Sequence, residues 1–197
     1  MDLLADRNCG ECSVCCVALN IDTKELQKLP GVPCTHLRAG GGCAIHATRY
    51  PVCHVYHCGW RYLGSLGEDW RPDKSGVLFD FQFDDLPNHY PRRPGIRVTI
   101  VDKKKALRRP FFDVLAGFIS SEVPVVLAVA GPPGHFPAHA FLNDALKDAV
   151  LNRSLLQVQA VFAQALKGLE EHPFTRVVHR NGGNPAISAA PSTQGQK

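Results

Sequence analysis

A chain of 197 residues with 22 basic and 18 acidic side chains carries a net charge of only +4, which leaves out the dense basic stripe typical of nucleic-acid binders. Its hydrophobic content of 45% is that of a globular protein able to bury a core. The most apolar stretch, Pro124 to Ala130, falls far short of the ~20 residues that a membrane span needs, so neither nucleic acid nor membrane is expected as a partner.

The opening residues, through Arg7, contain no apolar run of signal-peptide length. A cytoplasmic, reducing setting is therefore expected, in which cysteines stay as thiols or bind metals. Asp22-Thr-Lys-Glu25 reads as a capping box and predicts a short helix that ends before Pro30-Gly31. Around it, the first 67 residues are rich in glycine and cysteine, notably Gly40-Gly41-Gly42, and predict loops wrapped around a ligand.

From residue 68 the pattern becomes regular. After the turn-rich Trp70-Arg-Pro-Asp-Lys-Ser-Gly76, the alternation of Val77, Phe79, Phe81 and Phe83 predicts a half-buried strand. Ile96, Val98 and Ile100 repeat it. Lys103, Lys104, Lys105, Arg108 and Arg109 read as a solvated turn leading into a helix. Pro110 suits the first turn of that helix, and Phe111, Val114, Leu115, Phe118 and Ile119 form its apolar stripe. Pro124 to Ala130 predicts a fully buried strand, parallel to its predecessor across the helix. Gly131-Pro-Pro-Gly134 comes next as a plain turn, since two prolines leave too few amide donors for a phosphate.

Two more helices are predicted. One carries Leu142, Ala145, Leu146, Ala149 and Val150; the other runs through Leu155, Val158, Phe162, Leu166 and Leu169 behind a Ser154–Gln157 capping box. Residues 181–197 have the composition of a disordered tail. No phosphate-binding loop, G-x-S-x-G elbow or H-E-x-x-H motif is present, and no self-contained catalytic motif is recognised.

All eight cysteines precede residue 59: Cys9, Cys12, Cys15, Cys16, Cys34, Cys43, Cys53 and Cys58. Two-residue gaps let a tight turn aim two thiolates at one ion, and thiolates select soft metals such as zinc or iron–sulfur species. Eight can fill two four-ligand sites, or one site with thiols left over. Neighbouring side chains in an extended segment point opposite ways, so Cys15 and Cys16 can serve different sites, or one can ligate while the other packs. The Cys9–Cys12–Cys15 run suits a [4Fe–4S] cubane slightly better than Zn2+, although the C-x3-C-P ending of ferredoxins is missing. His36, His46, His54 and His57 lie in the same stretch and read as supporting or surface residues, since thiolates already suffice. Arg7, Arg38, Arg49 and Arg61 can offset the excess negative charge of thiolate sites. Trp60 and Trp70 read as a seal over the metal site or against the second domain.

These residues resemble the YkgJ-type cysteine-cluster family, whose zinc- or iron-chelating CxxCxxCC domain is similar to Cys9-Gly-Glu-Cys12-Ser-Val-Cys15-Cys16, Cys34-Thr-His-Leu37, Cys43-Ala-Ile-His46, Arg49, Cys53 and Cys58-Gly-Trp60. The family often has Arg-Pro where this chain has Arg49-Tyr50-Pro51. The resemblance covers residues 8–60 and implies metal binding by all eight cysteines. The same cluster accompanies flagellin lysine N-methylases, which implies a methylation-related alternative.

The expected fold is α+β: a metal-stabilised cysteine-rich module at residues 1–67, docked on a small sheet-plus-helices domain at residues 68–180. The expected function is metal binding (zinc or iron, with an iron–sulfur cluster for part of the set), with an unidentified protein partner allowed. A metal-dependent redox or protein-modifying enzyme is the alternative.

Overall fold

Short elements open the chain and long ones close it, following the distribution of apolar residues. A computed structural model describes residues 2–90 and 94–179. In chain order it contains α1 (Val14–Ala18), β1 (Ile21–Asp22), β2 (Gln27–Lys28), α2 (Pro51–Val55), α3 (Pro72–Ser75), β3 (Val77–Gln82), β4 (Gly95–Ile100), α4 (Lys103–Ala106), α5 (Arg109–Ser120), β5 (Val125–Val129), β6 (Ala138–Phe141), α6 (Asn143–Leu151) and α7 (Leu155–Glu171). The described residues are thus mixed α/β, with two sheets and seven α-helices.

The larger sheet has the order β3-β4-β5-β6. β4 and β5 are parallel, with Val98 opposite Leu127, and α4 and α5 form the crossover between them. β3 pairs antiparallel with β4, and β6 antiparallel with β5. Every residue of β5 is buried, as an apolar run without alternation requires. Pro110 stands in the first turn of α5, and Phe111 and Phe112 from that helix meet Phe162 of α7 edge-on at 5.2 and 5.5 Å between ring centres. Each such pair adds about 0.5–1.5 kcal/mol beyond the area it buries. Ser154 caps α7 by accepting from the Gln157 amide at 3.4 Å.

Three local expectations are corrected. No helix follows Asp22: residues 21–28 form the two-stranded sheet β1–β2, because Thr23 closes a turn with Leu26 through its hydroxyl and its amide, while Asp22 accepts from the Gln27 side chain. The strand β3 is not half-buried. Val77 to Asp80 are all buried, since the cysteine-rich segment covers what would have been a solvent face. The sequence reading holds no strand at β6, whose four residues pair antiparallel with β5. The tail at 181–197 lies outside the described residues.

No gap in packing separates the first 67 residues from the sheet and helices. Trp60 and Leu66 belong to the same apolar cluster as Phe79, Leu127 and Phe162. Gly76, with φ +72°, closes the turn from α3 into β3; a side chain there would meet the Asp102 carbonyl at 2.5 Å. The Gly131–Gly134 turn serves docking: the Gly134 amide donates to the Pro30 carbonyl at 2.8 Å.

Asn143, 1% exposed, pins the start of β5. Its Oδ1 accepts from the Val125 amide at 2.7 Å and its Nδ2 donates to the Val123 carbonyl at 2.8 Å. Asn143→Ala leaves both backbone groups without these partners, and a loss of about 1–3 kcal/mol per unsatisfied buried group is expected in urea denaturation. A change below ~0.5 kcal/mol would mean that the amide does not hold the strand.

Candidate metal centre

Little apolar material holds the cysteine-rich segment, so polar anchors set its shape. The Arg7 guanidinium is buried over the Trp60 ring, 5.1 Å from its centre, and donates to the carbonyls of Trp60, Leu63 and Leu66. Its charge is spent on backbone carbonyls and is not directed at the thiols, contrary to the charge-offsetting role the sequence suggests. The Lys28 ammonium, in a residue 5% exposed, donates to the carbonyls of Val17, Leu29 and Val32 at 2.9, 3.0 and 3.1 Å. Burial lowers its pKa, opposed by the nearby Cys34, Cys16 and Cys15.

Between these anchors lie the cysteines, all eight as free thiols. Cys9 and Cys12 face each other across a turn closed by the Cys12 amide on the Cys9 carbonyl at 2.9 Å. The glycine loop rests on this turn. A side chain at Gly41, whose φ is +90°, would meet the Glu11 carbonyl at 2.4 Å, so only glycine permits the approach. Cys15 and Cys16 sit on α1 and not in an extended segment, and their thiols meet, Cys15 donating to Cys16. Cys34 is tied to that helix by its amide on the Cys16 carbonyl, 2.9 Å. Cys43 pairs across a β-bridge with Leu37, whose amide closes the turn from Cys34. Cys53 rides on α2. Cys58 is buried where the chain enters the core, ahead of Gly59, which leaves no room for a side chain against Phe79.

The thiols group by the charges they feel. Cys15 is raised by its hydrogen bond to Cys16 and by burial, with Cys9 and Cys12 adding to the effect. Cys58 is pushed up to about 12 by burial, and Cys9 and Cys12 again contribute. Burial pushes Cys12 up to about 11, with the Asp73 carboxylate beside it. The other set centres on Cys53, raised by burial and then by Cys16, Cys34 and Cys43. Cys16 is lowered because it accepts from Cys15 and lies near Lys28. Cys15 and Cys16 are in contact, and Lys28 feels both of them together with Cys34.

Carboxylates and cations flank the groups differently. Asp80, buried at 4% exposure on β3, accepts from the Tyr56 hydroxyl, and the Arg97 guanidinium lies 3.5 Å from its other oxygen. Burial raises its pKa despite both partners. Asp73 is held below the carboxylate range chiefly by its hydrogen bond from Arg71. On the other side, Arg49 moderates Cys53, and the buried Nε atoms of Arg49 and Arg61 have no hydrogen-bond partner among the described residues. The histidines do not join the thiols: His36 leans on Tyr50, His46 meets Arg49, and His57 packs edge-on to Tyr62. Trp60 donates to the Gly67 carbonyl and Trp70 packs on Phe79, so both seal the segment to the sheet.

Among the described residues, no three cysteine, histidine, aspartate or glutamate side chains stand close enough, as placed, to hold an ion. The donor chemistry nevertheless fits a soft metal. The cysteines are free thiols, and burial and neighbouring sulfurs make Cys15 and Cys58 costly to ionise, a condition that a bound cation would reverse. Lys28, Tyr56, Asp73 and Asp80 escaped the sequence reading. Only Asp80 left a signal there, as a carboxylate set between Phe79 and Phe81. No family model, curated protein or solved structure matches this chain.

Because the fold raises the Asp80 pKa, the native state holds its proton where the unfolded chain, near ~3.9, has released it. Stability from this group therefore falls as pH climbs through the window between the two values. Denaturation of wild type and Asp80→Asn from about pH 4 upward should show the variant gaining on wild type across that window, after which the difference between them stays constant. A difference independent of pH would rule this out.

Proposed function

We propose that this is a metal-binding protein whose eight N-terminal cysteines hold zinc or iron, an iron–sulfur cluster included. The observation that carries the reading is that eight cysteines from separate stretches of the segment, Cys9 to Cys58, are all free thiols, with the backbone joining Cys12 to Cys9 and Cys34 to Cys16. Neutral thiols can pack side by side unaided, and a soft cation is what would let them ionise together. The resemblance to the CxxCxxCC family supports the same conclusion, and so does a reducing, cytoplasmic setting, in which thiols persist.

Among the described residues no helix is long and apolar enough to cross a membrane. Metal would act here chiefly as a folding element. A structural zinc contributes an apparent ~10–16 kcal/mol, which suffices to order a segment with almost no core of its own. The alternative of a redox or protein-modifying enzyme draws on one feature: Cys16, Cys34, Cys43 and Cys53 are only partly buried beside the cations Lys28 and Arg49. A partner protein or small substrate can reach them.

Protein purified without oxygen should contain zinc or iron by elemental analysis; a brown visible absorption identifies an iron–sulfur cluster, and a colourless protein points to zinc. After chelation, proteolysis should open the chain between Asn8 and Cys53, while Cys58 to Leu66, anchored in the core, and the helices seen by circular dichroism persist. Metal-free protein that takes up no metal and keeps its N-terminal segment intact would overturn the proposal.

A further inference from the structure

We infer that the cysteine-rich segment carries a phosphate-binding site built on Arg38, Arg49 and Arg61, suited to free phosphate or to the phosphate monoester of a small molecule. The site is separate from metal binding and does not depend on it.

The charge imbalance begins in the sequence. Residues 26–67 contain Lys28, Arg38, Arg49 and Arg61 but no aspartate or glutamate, so all 18 acidic side chains lie outside them. Lys28 is engaged with three backbone carbonyls. The three arginines have no such outlet. Elsewhere Arg71, Arg97 and Arg109 each find a carboxylate, whereas among the described residues Arg38, Arg49 and Arg61 find none. Arg49 reaches only the His46 ring, and the buried Nε atoms of Arg49 and Arg61 have no acceptor among those residues.

The fold gathers these cations. The Leu37–Cys43 bridge and the Ala44 amide, 2.8 Å from the His36 carbonyl, fold the Arg38 loop back beside residues 44–46. The His36 ring lies against Tyr50, 5.7 Å between ring centres, which sets that loop against the start of α2. Arg49, just ahead of Tyr50, meets His46, and α2 carries His54 with its amide 3.1 Å from the Tyr50 carbonyl. Burial lowers the His46 pKa, and the charges of Arg49, His54, Arg38 and Arg61 lower it further; burial, Arg61 and Arg49 do the same to His57. None of these influences is a carboxylate. Arg38 and His46 are exposed and Arg49 and Arg61 half-buried, so a solute can reach the group.

Like charges held together without a carboxylate repel one another, and an anion among them relieves that repulsion. Each guanidinium presents a planar fork of donors that matches two oxygens of a phosphate or a carboxylate. Three forks exceed what one carboxylate accepts, whereas a phosphate monoester brings three acceptor oxygens and about two negative charges. The buried Nε atoms mark Arg49 and Arg61 as cations for which the described residues supply no counterion.

Titration calorimetry of the full chain with inorganic phosphate and with phenyl phosphate, at fixed pH and salt, tests this. Wild type should bind one equivalent of each, and the tighter of the two tells the free ion from a monoester. Acetate should bind far more weakly. Arg49→Gln/Arg61→Gln should weaken phosphate binding about tenfold or more, the worth of a charge-assisted hydrogen bond. Arg38→Gln, on an exposed loop, should also weaken it and guards against a folding defect in the double variant. Lys104→Gln, exposed on α4, should change nothing. Wild type that binds no phosphate, or arginine variants that bind it equally well, would overturn the inference. Acetate binding as tight as phosphate, or an equal loss in Lys104→Gln, reduces the site to general surface charge and overturns it too. Metal content is measured on each sample. If wild type ignores phosphate while the arginine variants lose metal, the arginines serve the thiolates alone: metal binding stands and the phosphate site falls.

Discussion

Between Asn8 and Cys53 no leucine, isoleucine, valine or aromatic side chain is fully buried. Polar groups therefore weigh heavily there: Lys28 acts within the stretch, and Arg7, just ahead of it, ties the chain to Trp60, Leu63 and Leu66 beyond it. Arg7 and Lys28 each gather three backbone carbonyls from turns that would otherwise be independent. A hydrogen bond to a charged group is worth about 1.5–3 kcal/mol, but taking the charge out of water costs several kcal/mol. The cages therefore direct the chain more than they stabilise it. The metal binding proposed above would supply a second source of energy of sufficient magnitude.

The sheet and helices stand in contrast. Their stability is of the ordinary kind: a central strand buried throughout, a ring of phenylalanines between α5 and α7, and few polar groups inside. The two regions nevertheless share one core. Trp60 and Leu66 enter it from the cysteine side, and the Gly131–Gly134 turn reaches back to Pro30. Tyr56 and Asp80 couple them further, since the hydroxyl comes from the cysteine-rich segment and the carboxylate from β3.

Legibility tracked the strength of the local pattern. The buried strand, Pro110 at the start of α5 and the Ser154 cap were all readable, because each depends on residues close together in the chain. Asp22-Thr-Lys-Glu25 misled. A capping box needs an apolar stripe after it to hold the helix, and here Lys28 is drawn instead into its carbonyl cage. The exposed face expected of β3 vanished because another segment covers it, which no property of Leu78 or Asp80 could announce.

For the candidate site, the chain alone established the ligand inventory: eight thiols, their spacing, and the soft chemistry those residues bring. It could not say which thiol neighbours which, because spacing limits how far apart two sulfurs can be but not the direction in which each points. That was decided by the helical turn at Cys15–Cys16, the Cys34–Cys16 backbone bond and the burial of Cys58 against the sheet. Composition dictates what can bind; only the folded chain, through contacts between residues distant in sequence, arranges where.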